Sequence, residues 1–368
     1  MRRCHLSPWP DRRIVELFGV EHPILQAPMA GASGVALAVA VSRAGGLGAL
    51  PCALLTPDQV RQQVTEYRQA ATGPLNLNFF CHRPTEDDEA AETAWRRRLA
   101  PYYRELDLDP LAPATGAARA PFDDAFCRLV EEVRPEVVSF HFGLPEPVLL
   151  SRVRATGAKV ISSATTVAEA IWLAEGGCDA VIAMGYEAGG HRGSFLTDDM
   201  SAQPGLMALL PQIVDVAPVP VIAAGGIADG RGIAAAFALG AAAVQLGTVY
   251  LPGPQSLIPA FHRQALARAA DDSTALTNLF TGRPARGLIN RLMREIGPMS
   301  ADAPEFPKAA AALGPLRTAS PAPEDFTSLW AGQAAALADE TDAEELTLRL
   351  AKAGLSRLAA LSGKPAPV

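Results

Sequence analysis

Aromatic side chains are scarce in this sequence, 6% of 368 residues, so its core has to be built from Ala, Val, Leu and Ile. Small and β-branched residues of that kind suit parallel strands packed under helices. Cysteine is scarce too. The five present, Cys4, Cys52, Cys81, Cys127 and Cys178, are scattered, odd in number and without a C-x-x-C pair, which argues against a disulfide framework or a structural zinc site. A reduced, cytoplasmic setting is expected. No uninterrupted apolar stretch reaches membrane-spanning length. The basic N-terminus MRRCHLSPWPDRR lacks the apolar run that follows in a signal peptide. Positive charge is not in excess either. A net charge of −7 disfavours a nucleic-acid or membrane-surface partner.

What the sequence does hold is a regular alternation. Eight short apolar runs recur: Pro23 to Ala27, Gly46 to Pro51, Pro74 to Phe80, Val137 to Phe142, Lys159 to Ala164, Ala180 to Gly185, Val219 to Gly226 and Ala243 to Thr248. Each is too apolar on both faces for a half-exposed strand, as buried parallel strands are. Helical patterns such as GVALAVAVSRAGG and VAEAIWLAEGG lie between them, several closed by Gly. Strand and helix alternating eight times predict an α/β (β/α)8 TIM barrel over residues 1–250. Two segments exceed a plain barrel. Residues 81–134, after the third strand, read as an insertion that adds helices or a lid above the mouth. Residues 251–340 read as a helical segment shaping a substrate pocket, and 341–368 as a C-terminal helix packing back on the barrel, its amphipathic part running from Ala343 to Leu361. A chain of this kind is compatible with a homo-oligomer.

In a parallel barrel the C-terminal strand ends converge on one rim, where sites form. The seventh strand ends in Ala224-Gly225-Gly226-Ile227 and the eighth in Gln245-Leu246-Gly247-Thr248. Glycines at these two tips let bare backbone N–H groups approach an anion, and the Thr248 hydroxyl adds a donor, which fits a phosphate site. GGIADGRG lacks the G-x-G-x-x-G spacing of a Rossmann turn. The sixth strand runs into Gly185-Tyr186-Glu187-Ala188-Gly189-Gly190-His191-Arg192-Gly193, a tight loop able to hold an imidazole over a flat ligand. Glu187 and His191 are four apart, but the glycines between rule out a helical metal pair, and no metal is expected. Ala27, Pro28 and Met29 end the first strand and offer small groups and a thioether to a ring face. Asn78 brings an amide to the third strand's end. His141, ending the fourth strand, and Ser163, on the fifth, are further pocket candidates.

In this order QAPMAG, AGGLGAL, NLNFF, VSFHFGLP, EAGGHRG, PVIAAGGIADGRG and VQLGT resemble the nitronate monooxygenases, formerly called 2-nitropropane dioxygenases, from roughly Phe18 to Leu251. FTGRPARGLINR and LWAGQ add weaker support. The resemblance implies a barrel binding FMN noncovalently at the rim, with Asn78, Gly189, Gly226 and Gln245 to Thr248 contacting the flavin and His191 as the active-site histidine. Met184 stands where some members have Gln, and Ser163 where others have Lys. The implied reaction is oxidation of an alkyl nitronate by O2 to a carbonyl compound and nitrite. The nearest rival, an FMN-dependent enoyl-ACP reductase, shares the barrel, the glycine loops and a similarly placed histidine. An IMP-dehydrogenase-like barrel would need a catalytic Cys in a Gly-rich loop, and Cys178 precedes the sixth strand on the wrong side. A flavin- or phosphate-binding module without turnover is the non-enzymatic alternative.

Overall fold

Each of the eight apolar runs forms a strand in the computed structural model, which describes residues 9–110 and 120–363. Cys4 and most of the basic N-terminus lie outside the described residues. The strands are β1 (Ile24–Gln26), β2 (Gly48–Pro51), β3 (Leu75–Phe80), β4 (Val137–His141), β5 (Lys159–Ala164), β6 (Ala180–Met184), β7 (Val221–Ala224) and β8 (Ala243–Leu246). They pair in parallel around the order β1-β8-β7-β6-β5-β4-β3-β2. Between β1 and β2 the sheet closes by fewer bonds. Leu47 N–H donates to the Ile24 carbonyl at 3.0 Å and Gln26 N–H to the Leu47 carbonyl at 3.0 Å. The fully buried Gln26 amide completes the seam, with Oε1 accepting from Ala49 N–H at 3.0 Å and Nε2 donating to the Ala49 carbonyl at 3.1 Å.

Alternation along the strands sorts side chains into two layers. On β3, Leu75, Leu77 and Phe79 join the large cluster between sheet and helices. The intervening positions, Asn76, Asn78 and Phe80, take the other face, toward the barrel axis. Lower in the barrel the axis is filled by Leu25, Val137, Ile161, Ile182 and Ile222, and Ile14 and Phe18 of the helix Arg13–Phe18 plug the end away from the site. Removing each such side chain from water stabilises the fold by about 1.5–3 kcal/mol. The rim is therefore the end left with polar groups.

The 81–134 segment holds two different things. The helix Asp124–Val133 packs beside Pro57–Ala70 and Pro147–Ala155 and is the barrel's own third helix. The surplus is Glu89–Glu105, capped by Asp88, whose carboxylate accepts from Ala91 N–H at 2.9 Å. Its face of Trp95, Leu99, Tyr102 and Tyr103 buries against Leu279, Phe280, Leu292 and Leu313 of the post-barrel segment. The Tyr103 hydroxyl donates to the Ala312 carbonyl at 2.6 Å.

The post-barrel segment departs from the helical expectation. Ala260–Ala267 is a helix as expected, but Thr274–Thr277 and Ala285–Leu288 are antiparallel strands, and the helix expected across ARGLINRLMREIG starts only at Arg291. The cause is tertiary. Ala285 and Arg286 pair with His191 and Gly190, so the three strands form one small sheet that includes the loop after β6. Backbone partners supplied from elsewhere override local helical patterning. The last helix spans Ala343–Leu361, as its periodicity predicts, and packs on Gly230–Ala238. Among the described residues no helix is long and apolar enough to cross a membrane.

Candidate active site

A cavity of about 430 Å³ opens at the C-terminal rim of the barrel. Of the residues singled out from sequence, Ala27, Pro28, Met29, Asn78, His141, Ser163, Met184, Gly189, His191, Gly225, Gly226, Gln245, Gly247 and Thr248 all line it. Leu246 does not. Alternation on β8 turns it outward into the sheet–helix core, 1% exposed, and only its carbonyl serves the rim, accepting from Ala27 N–H at 2.7 Å.

The two late strand tips meet as their glycines suggest. Gly225 and Gly226 take φ of +107° and +69°, the left-handed region where a side chain would strain the backbone. Among the described residues no protein acceptor takes the amide hydrogens of Gly226, Gly247 or Thr248. Thr248 Oγ1 accepts from Gly332 N–H at 2.9 Å, which leaves its own hydroxyl hydrogen to donate. This is a nest of unpaired donors at one end of the cavity.

The loop after β6 is locked from below. Arg192 is fully buried, and its guanidinium donates to the Gly185 and Met184 carbonyls at 2.5 and 3.0 Å and to Gln203 Oε1 at 2.7 and 2.9 Å. Burial pulls its pKa down to about 10, still charged at neutral pH. Gln203 in turn donates to Thr165 Oγ1 at 2.8 Å, and Thr165 donates to the buried Glu169 carboxylate at 2.7 Å. Glu187 makes no pair with His191. Its carboxylate accepts from Leu206 N–H at 2.9 Å, at the start of the helix Leu206–Val216.

Held this way, His191 reaches Thr281 Oγ1 with Nε2 at 2.9 Å, while its carbonyl faces His141 Nε2 at 3.2 Å. A carbonyl only accepts, so His141 carries its proton on Nε2. Burial is the main force lowering the His141 pKa to about 4, with Arg283 and Arg192 adding to it against the pull of the His191 carbonyl. The neutral ring then accepts at Nδ1 from the Ser163 hydroxyl at 2.6 Å. Both nitrogens are used, so His141 holds the loop rather than exchanging protons. Gly193 closes against this pair: a Cβ there would stand 2.6 Å from Ser163 Oγ and 2.9 Å from His141 Cε1.

The family model described as nitronate monooxygenase matches residues 11–352. The chain belongs to the nitronate monooxygenase family. Nitronate monooxygenase of Pseudomonas aeruginosa is 42% identical over 338 residues, covering 91% of this chain and 96% of that protein. The nitroalkane oxidase of Streptomyces ansochromogenes, a solved structure, is 37% identical with a TM-score of 0.84 over 95% of this chain and 99% of that one. FabK from Thermotoga maritima follows at 30% identity and a TM-score of 0.72, over 95% and 98%.

For a nitronate monooxygenase family chain, sequence reasoning passed over several wall residues. Phe80, Trp330, Gly332 and His262 line the cavity, and Thr281 orients His191. Trp330 and Gly332 lie in the LWAGQ motif and Thr281 in FTGRPARG, so those two weaker motifs were the available signal. His262 offers none, since it sits inside a helical pattern. It is buried, which lowers its pKa to about 4 against the pull of the Trp330 carbonyl, and its Nε2 finds no partner among the described residues.

Proposed function

We propose that this chain binds FMN noncovalently at the rim and oxidises alkyl nitronates with O2 to a carbonyl compound and nitrite. One arrangement carries the reading: unpaired amides at the tips of β7 and β8 open onto the same cavity as the imidazole of His191. Gly226, Gly247 and Thr248 would hold the phosphate through backbone N–H groups and one hydroxyl, with no need for a cationic side chain. Gln245 Oε1 is buried without a protein partner, as an atom reserved for a ligand donor is. Asn78, its Nδ2 donating to Ser139 Oγ at 2.9 Å, keeps its own oxygen available at the third strand's end. Ala27, Pro28, Met29 and Met184 supply an apolar floor for a flat ring.

The flavin, when bound, supplies the electron transfer between nitronate and O2. The chain's own residues position the substrate. His191, its Nε2 tied to Thr281, is placed to stabilise the negative nitronate oxygens, and would act as base only with a neutral nitroalkane. Ser163 donates to His141, so the position that holds Lys in other members presents a neutral oxygen here. Met184 contributes its carbonyl to Arg192 instead of a side-chain amide to the ring. The free thiols Cys52, Cys81, Cys127 and Cys178 fit a reducing, cytoplasmic setting.

The deciding measurement is an absorption spectrum of the purified protein with and without ethyl nitronate. A flavin spectrum bleached by the nitronate under anaerobic conditions is expected. Rapid bleaching by NADH instead would replace this reading with an FMN-dependent enoyl-ACP reductase. His191→Asn should keep its flavin while turnover drops by at least about 100-fold, the usual scale for a lost proton-handling or charge-stabilising group. Unchanged turnover defeats the assignment.

A further inference from the structure

The helix Ala260–Ala267 belongs to the post-barrel segment, and its Leu266 packs into a cluster with Leu251, Ile258 and Ala331. His262 lies one turn earlier on the same buried face, 5% exposed. A leucine there would bury more apolar area at no polar cost. The imidazole also borders the rim cavity, beside Ile258 and Pro259. One ring nitrogen bonds the Trp330 carbonyl, and Nε2 is buried without a protein partner among the described residues. A carbonyl only accepts, so the proton sits on Nδ1 and Nε2 carries a bare lone pair. Leaving such an acceptor buried and unmatched costs about 1–3 kcal/mol. A ligand that donates to it removes that cost.

Elimination narrows the donor. An alkyl nitronate and O2 carry only acceptor oxygens, and a phosphate oxygen would meet the lone pair as a second acceptor. The N–H of a flavin ring lies between two carbonyl oxygens, an edge that suits the Asn78 and Gln245 amides. The hydroxyls of the ribityl chain, between phosphate and ring, can donate. The placement agrees. The Trp330 carbonyl is two residues, at most about 7 Å of chain, from Gly332, whose N–H reaches Thr248 Oγ1 at 2.9 Å beside the amide nest. We propose that His262 Nε2 accepts a hydrogen bond from a ribityl hydroxyl of the cofactor, so that the post-barrel helix and not the barrel alone holds the flavin. This rests on the FMN reading above.

The test uses the full chain with its flavin, exchanged against FMN and against an analogue with a phosphopentyl chain in place of the phosphoribityl chain. The analogue keeps the ring and the phosphate and lacks the hydroxyls. Ultrafiltration and the absorbance of the retained flavin give the relative affinity. Wild type should favour FMN at least about tenfold, the scale of a hydrogen bond together with relief of a buried unmatched acceptor. His262→Leu, or His262→Phe should that variant not fold, removes the acceptor and should shrink this preference at least about fivefold. His262→Gln keeps an acceptor oxygen and should retain more of it. Both flavins meet the same variant, so general damage cancels from the ratio. A wild-type preference near one overturns the proposal, and so does a preference unmoved by loss of the imidazole. A wild-type chain that retains neither flavin defeats the FMN reading and this bond with it. Retention of FMN that is indifferent to His262 defeats the bond alone.

Discussion

Replacing Gln26 with Leu should cost far more than one surface amide would. The side chain is fully buried, and it takes the place of a missing stretch of backbone ladder by pairing both Ala49 N–H and Ala49 C=O. Leucine leaves those two groups without partners inside the barrel, at about 1–3 kcal/mol each. The added apolar contact offsets part of this, so a net loss of about 2–4 kcal/mol is expected. Gln26→Glu should be no rescue, because a carboxylate accepts from Ala49 N–H but has no proton for the carbonyl and brings a buried charge. The assay is chemical denaturation followed by far-UV circular dichroism, with flavin content measured on the same samples. Ala27, Pro28 and Met29 follow Gln26 directly, so a loosened seam should also lower flavin retention. A stability loss under 0.5 kcal/mol with normal flavin content would refute the idea that this side chain closes the barrel.

Two further outcomes follow from the same geometry. Gly193→Ala drives a methyl into Ser163 Oγ and His141 Cε1, so turnover should fall about tenfold or more while the global unfolding midpoint moves little; a full-rate variant would show that the His141–Ser163 contact does not position His191. Acid should destabilise the fold through His141 and His262. Each titrates near 6.5 when unfolded and about 4 when folded, so the unfolded chain binds more protons between those values. Stability should be full above pH 6.5 and decline as pH falls toward 4, by up to about 3 kcal/mol per histidine. Denaturation midpoints that stay flat between pH 7 and 5 would contradict this.

The barrel was legible because its strands are short, apolar on both faces and regularly spaced between helical patterns. The rim residues were legible because glycine pairs and lone polar groups at the ends of such runs have few other uses. The side chain of Leu246 leaves the rim for a local reason: it follows Gln245 on β8, and successive side chains of a strand face opposite sides. The small sheet of Thr274–Thr277 and Ala285–Leu288 escaped because its third strand is two residues of a distant loop, which no window around ARGLINR contains. Phe80, Trp330 and Thr281 were within reach only through the motifs that contain them, NLNFF, LWAGQ and FTGRPARG, since nothing in their local pattern marks them before the fold brings them beside His191.

That two-residue strand makes the imidazole a shared possession. Its main chain springs from the barrel, but its backbone neighbours and the hydroxyl that steers its ring come from residues 277–288, beyond the eighth strand. A truncation that spared every barrel strand would therefore keep the nest of unpaired amides and lose the partners that set the imidazole. Exchange of the post-barrel segment between relatives would likewise shift the imidazole along with the pocket wall, so that preference and rate in such hybrids should change together.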